Sequence, residues 1–415
     1  MARIVCLAAL LAALVAPAAQ AGGPVATVTM LDRQMSKASS ASGAYVVDLD
    51  SGQTLYSRSP DVARMPASVN KLYTTAAALN LYGAEGRLTT EVLGAIEVGD
   101  DGVVDGDLYL RGGGDPSFGL AEARGLAGVL AGSGLTEVTG RVIGDESRFD
   151  SVRGGPASSF RVSYWVGPLS GLPFNHGRTL GRRSRFQSAP ARYAAERFQV
   201  ELRRAGVRVR RAARAGVTPA AAVLLGEWAS PRMSVLVRHT NRPSDNYMAE
   251  TLLKALGADF GAGGTTAEGA AVASSHAAQF GAAPTMVDGS GLSRQNRTTP
   301  RDVVELLDGM DDSDLAEPMR TSLAVAGRSG TLVDRMRGTA AEGRCRAKTG
   351  TIDGVSNLAG YCTSRSGART AFAILMSGSV WTAHPLQNRM AAALARYRPV
   401  ASRRAGVRAM APSSG

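Results

Sequence analysis

Cys345 to Cys362 reads CRAKTGTIDGVSNLAGYC, two apolar and β-branched runs placed on either side of Asp353-Gly354. An Asp-Gly pair between such runs is a strong short-range signal for a two-residue β-hairpin. Residues opposed across that turn share one index sum, and Cys345 and Cys362 share the sum of Asp353 and Gly354. Counting outward from the hydrogen-bonded closing pair Ile352 and Val355, alternate pairs put the cysteines at a non-hydrogen-bonded site. There Cα atoms approach to about 4.5 Å and a disulfide can form. The stretch therefore predicts paired strands at 345–350 and 356–363, bridged at their far ends. A third strand follows at 369–376, and a closing helix at 385–397.

Working outward, AYVVDLDSGQTLYS (44–57) predicts a second hairpin with its turn at Asp50-Ser51-Gly52. Pro66-Ala67-Ser68 then opens a helical pattern through Leu72, Ala76 and Leu79, which stops near Gly83. From Thr89 the pattern changes to short alternating runs with one helical stretch, which marks an inserted region over 87–225. Helices are expected at 191–205, 230–238, 245–255, 266–280 and 301–310, with a strand at 207–210. The main domain is thus discontinuous, 22–86 with 226–398, and the basic tail 399–415 has no amphipathic period.

The 415 residues are 44% hydrophobic and 20% charged, which excludes a disordered or collagen-like chain. Residues 1–21 have a basic start, an apolar run from Ile4 to Pro17 and an Ala19-Gln20-Ala21 cleavage pattern, so they read as a secretory signal peptide. The mature protein is then secreted or periplasmic, without a transmembrane anchor, because no later apolar run is long enough to span. Cys6 leaves with the signal, and Cys345 and Cys362 meet an oxidising compartment. The net charge of +12 and the arginine-rich stretch 178–214 raise a nucleic-acid partner. Export and the sparse aromatics argue against one, and solvated faces of a helix and a strand account for the arginines.

Lysine is scarce: Lys37, Lys71, Lys254 and Lys348 are the only four. Unlike Arg, a desolvated Lys can lose its proton and act as a base. Lys71 follows Ser68 by three positions at a helix start, so nucleophile and base share one face, and Lys71 is expected to be largely neutral near pH 7. Ser244-Asp245-Asn246 precedes an apolar helix and reads alone as a cap. Lys348-Thr349-Gly350 reads alone as a strand end. The four histidines show no metal-binding spacing, and no G-x-S-x-G elbow occurs. Asp288-Gly-Ser-Gly291 reads as a tight turn.

S-x-x-K, S-D-N and K-T-G in this order form the signature of penicillin-recognising serine acyltransferases. With GDLYLRGGGDPSF (106–118), HTNRPSDNYMAETLL (239–253), DGSGLSRQNRTTP (288–300) and RAKTGTIDGVSNLAGY (346–361), the chain resembles the D-alanyl-D-alanine carboxypeptidase/endopeptidases. These are the low-molecular-mass class C penicillin-binding proteins of the penicillin-binding protein 4 type. The resemblance implies an α/β fold: a transpeptidase-like domain, with an antiparallel sheet flanked by helices, and an inserted β-rich accessory region. It implies cleavage of peptidoglycan stem peptides through a Ser68 acyl-enzyme, β-lactams as covalent inhibitors, and no metal or cofactor. Carried over residue by residue, Lys71 is the general base, Ser244 a proton relay, and Asn246 a ligand of the substrate amide. Lys348 and Thr349 bind the terminal carboxylate, and Gly350 lets a peptide add beside its strand. The amides of Ser68 and Thr351 form the oxyanion hole, and Arg294 anchors a carboxylate on the third residue of the peptide. No acidic residue in 151–177 matches a recipient for a diaminopimelate amine. The Ser of GRSGT (327–331) concerns support of the site. A β-lactamase on the same fold and a non-catalytic wall-binding protein are the competing readings.

Overall fold

The computed structural model describes residues 22–400; the signal peptide read at 1–21 and nearly all of the tail lie outside them. The chain enters through helix α1 (Pro24–Met35), an element the sequence reading did not anticipate, and continues into the hairpin β1 (Gly43–Asp48) and β2 (Gln53–Arg58). The expected helix from Pro66 is a 3-10 turn over Ala67–Asn70, and α2 (Lys71–Tyr82) begins only at Lys71. Ala67 stands at φ 46°, a left-handed conformation that a continuous helix cannot contain.

The inserted region follows as β3 (Thr89–Gly94), β4 (Val103–Val104), β5 (Leu108–Arg111), α3 (Leu120–Gly132), β6 (Glu137–Val138), β7 (Val142–Asp145), α4 (Pro190–Arg204), β8 (Arg208–Val209), β9 (Arg214–Ala215) and β10 (Val223–Ala229). Its strands form a mixed sheet in the order β10-β3-β5-β7-β9 and a small parallel sheet β4-β6-β8. The core of this region lies where α3 and α4 cover the larger sheet, around Leu108, Leu110, Leu126 and Phe198. The β10 strand crosses the expected junction at 225/226 and pairs with β3. The chain leaves and re-enters at one place, because Leu88 and Ser230 exchange hydrogen bonds.

The returning chain forms α5 (Met233–Asn241), α6 (Asn246–Phe260), α7 (Thr266–Ala278), α8 (Pro300–Asp311), α9 (Ala316–Ser322), β11 (Ala324–Val325), β12 (Cys345–Ile352), β13 (Val355–Thr363), β14 (Arg369–Ser377) and α10 (Val380–Leu394). The closing helix starts one turn before Pro385, which sits inside it. Lost helical bonding is tolerated there because the first turn is open to solvent, with Trp381 86% exposed.

Both ends of the chain meet in one antiparallel sheet, β11-β12-β13-β14-β1-β2. Strand alternation divides the core between its two faces. Tyr45, Val47, Ala359 and Ala373 pack towards α2, α6 and α8, whereas Ala44, Val46, Leu358 and Ile374 pack towards α1 and α10. α2 is buried from Lys71 through Leu79. A helix enclosed on all sides is a rigid base for whatever its N-terminus carries.

Candidate active site

Three segments converge at the N-terminus of α2. The first is the turn carrying Ser68, which is half-buried while its neighbours Ala67 and Val69 are buried. Asn357 on β13 fixes this turn: its Nδ2 donates to the carbonyls of Met65 (2.9 Å) and Pro66 (2.8 Å), and its Oδ1 accepts from the Met376 amide. Gly350 on β12 allows the strand to approach, since a Cβ there would stand 2.6 Å from the Pro66 oxygen. That contact explains the glycine more directly than room for an added peptide does.

Lys71 is completely buried, and its Nζ donates to Ser68 Oγ (3.0 Å), Asn246 Oδ1 (2.7 Å) and the Ser290 carbonyl (2.6 Å). Burial lowers its pKa from 10.5 to about 8, and the carboxylates of Asp288, Glu250 and Asp245 keep it from falling further. The lowering expected from desolvation is there, and a pKa of about 8 puts the ammonium–amine equilibrium just above neutrality. The second lysine, Lys348, is also fully buried and donates to Ser244 Oγ (2.8 Å) and the Thr349 carbonyl (2.8 Å). Desolvation, which no carboxylate offsets, pushes its pKa well below the ordinary lysine value, and the charge of Lys71 adds to the lowering.

The second segment is the α5–α6 turn. Ser244 holds φ 67°, which projects it from the turn, and Asp245 caps α6 by accepting from the Met248 amide at 2.8 Å. The motif is therefore a helix cap and a site element together. From the inserted region, His176 stands 3.7 Å from the Asp245 carboxylate and packs on the Tyr247 ring.

The third segment is β12. Cys345 lies opposite Cys362 and the two form a disulfide with Cα atoms 4.1 Å apart. The Thr363 amide bonds to the Arg344 carbonyl, which places the cysteines at a non-hydrogen-bonded pair. By the same alternation the amides and carbonyls of Thr349 and Thr351 point away from β13. β11 pairs only with Ala347 and Arg346, so that edge is open beside Ser68. Thr349 Oγ1 is 2.8 Å from Thr331 Oγ1, and Ser329 of the same loop accepts from the Val325 amide, so this loop braces the strand.

Arg294 lies at the rim of the site, where its guanidinium donates to the Asp353 carbonyl (2.8 Å) and stands 3.8 Å from the Asp353 carboxylate. A cleft of about 220 Å³ runs beside it, between Ser158, Ser163 and Trp165 of the inserted region and Leu292, Arg294 and Ile352.

Sequence reasoning missed Asn357, Glu250 and the part played by Asp288–Gly291. Glu250 carried a readable signal: it lies four residues beyond Asn246 and therefore on the same face of α6. The segment 288–291 is more than a tight turn, because Gly291 (φ 83°) lies so close to Ala67 that a Cβ would meet its carbonyl oxygen at 1.9 Å.

An antiparallel sheet flanked by helices, interrupted by a β-containing insertion, is the fold of the penicillin-binding protein 4 type. Penicillin-binding protein 4 of Haemophilus influenzae superposes with a TM-score of 0.74 at 19% identity, covering 87% of this chain and 97% of that one. A penicillin G-acylated predatory endopeptidase of Bdellovibrio bacteriovorus superposes at 0.55 with 20% identity, covering 84% and 90%. The chain belongs to the D-Ala-D-Ala carboxypeptidase 3 (S13) family, whose model matches residues 27–180 and 169–398. It is 31% identical to a D-alanyl-D-alanine carboxypeptidase of Actinomadura sp. strain R39, over 86% of this chain and 81% of the relative. To the carboxypeptidase DacB of Mycolicibacterium smegmatis it is 28% identical, over 84% and 79%. No helix among the described residues is long and apolar enough to cross a membrane.

Proposed function

We propose that this chain is a serine-type D-Ala-D-Ala carboxypeptidase and endopeptidase of peptidoglycan stem peptides, working through a Ser68 acyl-enzyme and inhibited covalently by β-lactams. The observation that carries the reading is the convergence on Ser68: Lys71 Nζ lies 3.0 Å from the hydroxyl, and Lys348 holds Ser244 across the same site. The neutral fraction of Lys71 takes the Ser68 proton as Oγ attacks the penultimate D-Ala carbonyl. The amides of Ser68 and Thr351 receive the charge on the carbonyl oxygen. The Ser68 amide opens a 3-10 turn, where early N–H groups have no helical acceptor, and Thr351 faces the open edge. As the C–N bond breaks, the proton passes through Ser244 to the departing D-Ala amine. Water then hydrolyses the ester, with Lys71 again accepting a proton.

The terminal carboxylate belongs beside Lys348 and Thr349, since an anion there supplies the counter-charge Lys348 lacks and favours its ammonium form. Asn246 binds the substrate amide, and Arg294 takes the carboxylate on the third residue by exchanging it for Asp353. Export as a mature chain beginning at Gly22 fits this substrate. Intact-mass analysis after incubation with penicillin tests the chemistry: we expect one long-lived adduct on Ser68 and none on Ser68→Ala, together with free D-Ala from a pentapeptide. Equal labelling of the variant overturns the assignment, and rapid release of hydrolysed penicillin supports a β-lactamase instead.

A further inference from the structure

The segment Asp288–Gly291 is held between two helices in a way the acylation chemistry does not by itself require. On one side its consecutive carbonyls face α2 and the turn before it. Asp288 O accepts from Asn70 Nδ2 (2.7 Å), Gly289 O from Thr74 Oγ1 (3.0 Å) and Ser290 O from Lys71 Nζ (2.6 Å). On the other side, its amides face carboxylates. Glu250, completely buried in the second turn of α6, accepts from the Gly289 amide through one oxygen (3.2 Å) and from the Ser290 amide through the other (2.9 Å). Asp288 closes the strap on itself by accepting from Gly291 (2.7 Å) and Ser293 (2.6 Å).

A peptide plane gripped through its amide is also aimed through the carbonyl of the preceding residue: Glu250 fixes the planes of the Asp288 and Gly289 carbonyls, and the Ser290 carbonyl shares its plane with the Gly291 amide that Asp288 holds. We infer that Glu250 is a positioning residue of the reaction, which seats the strap against α2 through the planes of the Asp288 and Gly289 carbonyls, so that the next carbonyl, Ser290, meets Lys71, and which adds negative charge behind it. The inference rests on the reading of Lys71 as the base for Ser68. Two consequences follow from the geometry. The carboxylate needs both oxygens, so an amide in its place turns an N–H₂ towards one of the two strap amides. Burial, with Asp288 beside it, raises the Glu250 pKa to about 7, so above neutrality it is a carboxylate whose charge favours the ammonium form of Lys71, and removing it makes the amine easier to deprotonate there. The other charged groups facing this pair are Asp288 on the strap, Asp245 at the start of α6, Lys254 one turn beyond Glu250, and Lys348 on β12. Gly155 of the inserted region lies over the Glu250 carboxyl.

The test is the acylation rate constant for a fluorescent penicillin, measured on the mature chain from pH 5.5 to 9.5. In Glu250→Gln we expect the plateau rate to fall about tenfold or more and the rising limb, near pH 8 in the wild type, to move down by about 0.5–1 pH unit. Glu250→Asp keeps the charge but is too short to hold both amides, so its plateau falls while the limb stays in place. A loss of packing alone lowers the unfolding temperature without moving the limb. The inference is overturned if folded Glu250→Gln keeps both its limb and its plateau within twofold of wild type. If that variant does not fold, a Glu250→Asp plateau within twofold of wild type overturns it instead. A wild-type chain that forms no Ser68 adduct sinks the acyl-enzyme reading and this inference together, whereas normal wild-type labelling with unchanged variants sinks the inference alone.

Discussion

Lys71 is held between two opposing pressures, burial against the ammonium and three carboxylates in its favour, and the balance near 8 sets the pH response. The working base is the deprotonated form, so acylation should rise with pH through neutrality and level off above about 8–9. Inactivation rates with penicillin between pH 6 and 10 check this; a profile that falls over that range contradicts the base role. Lys71→Arg removes a base that can be deprotonated and should cost about 10²–10⁴ in acylation rate while the chain stays folded. At this scale the sequence was informative where a residue type was unusual, as with four lysines among many arginines. It was silent about what opposes the loss of the Lys71 proton. The carboxylates responsible come from α6 and from a strap more than two hundred positions away, and only tertiary folding brings them together.

The β12–β13 hairpin shows how much an element can reveal. Its register and cysteine pairing were legible because a two-residue turn fixes every opposed pair. The turn geometry was not: of Asp353 and Gly354 only the glycine has a positive φ (77°), the signature of type II and not of the mirror-image type I′ turn. The turn carrying Ser68 was misread as helix because its shape depends on Asn357 and Gly350, which reach it from other strands. These dependences separate two substitutions. Gly350→Ala thrusts a methyl towards the Pro66 oxygen and should reduce Ser68 labelling by at least about tenfold, since a misplacement of that size disrupts a positioned nucleophile. Replacing both Cys345 and Cys362 by Ser should lower stability by less than the roughly 3 kcal/mol typical of a loop this size, because the hairpin already restrains it, and should leave labelling near normal. Thermal unfolding and labelling measured on the same samples decide; a disulfide variant that unfolds but a Gly350 variant that labels normally would reverse this ranking.

Across the whole molecule, the inserted region is tied to the site through Lys254, the one lysine of α6. Its ammonium, side chain fully buried, pairs with Asp150 at 2.5 Å and donates to the Val152 carbonyl at 3.1 Å, and both partners open the loop that leads to Ser158, Ser163 and Trp165. Burial lowers the pKa of Lys254 while Asp150 opposes that shift, so the pair depends on both members. The sequence reading put an insertion between S-x-x-K and S-D-N, yet could not see that the chain there returns to form one wall of the cleft, since nothing local marks Asp150 as the partner of Lys254. Lys254→Met leaves Asp150, itself about a third exposed, without its cation. A partly solvated pair of this kind contributes about 1–2 kcal/mol, less than a fully buried one. The chemistry at Ser68 lies beyond the loop, so acylation by a small penicillin should change less than threefold. A stem peptide long enough to enter the cleft should lose about tenfold in kcat/KM, through KM more than through kcat. Paired kinetics on the two substrates check this, and equal losses on both would mean that Lys254 supports α6 and the catalytic turn directly instead of the wall supplied by the insertion.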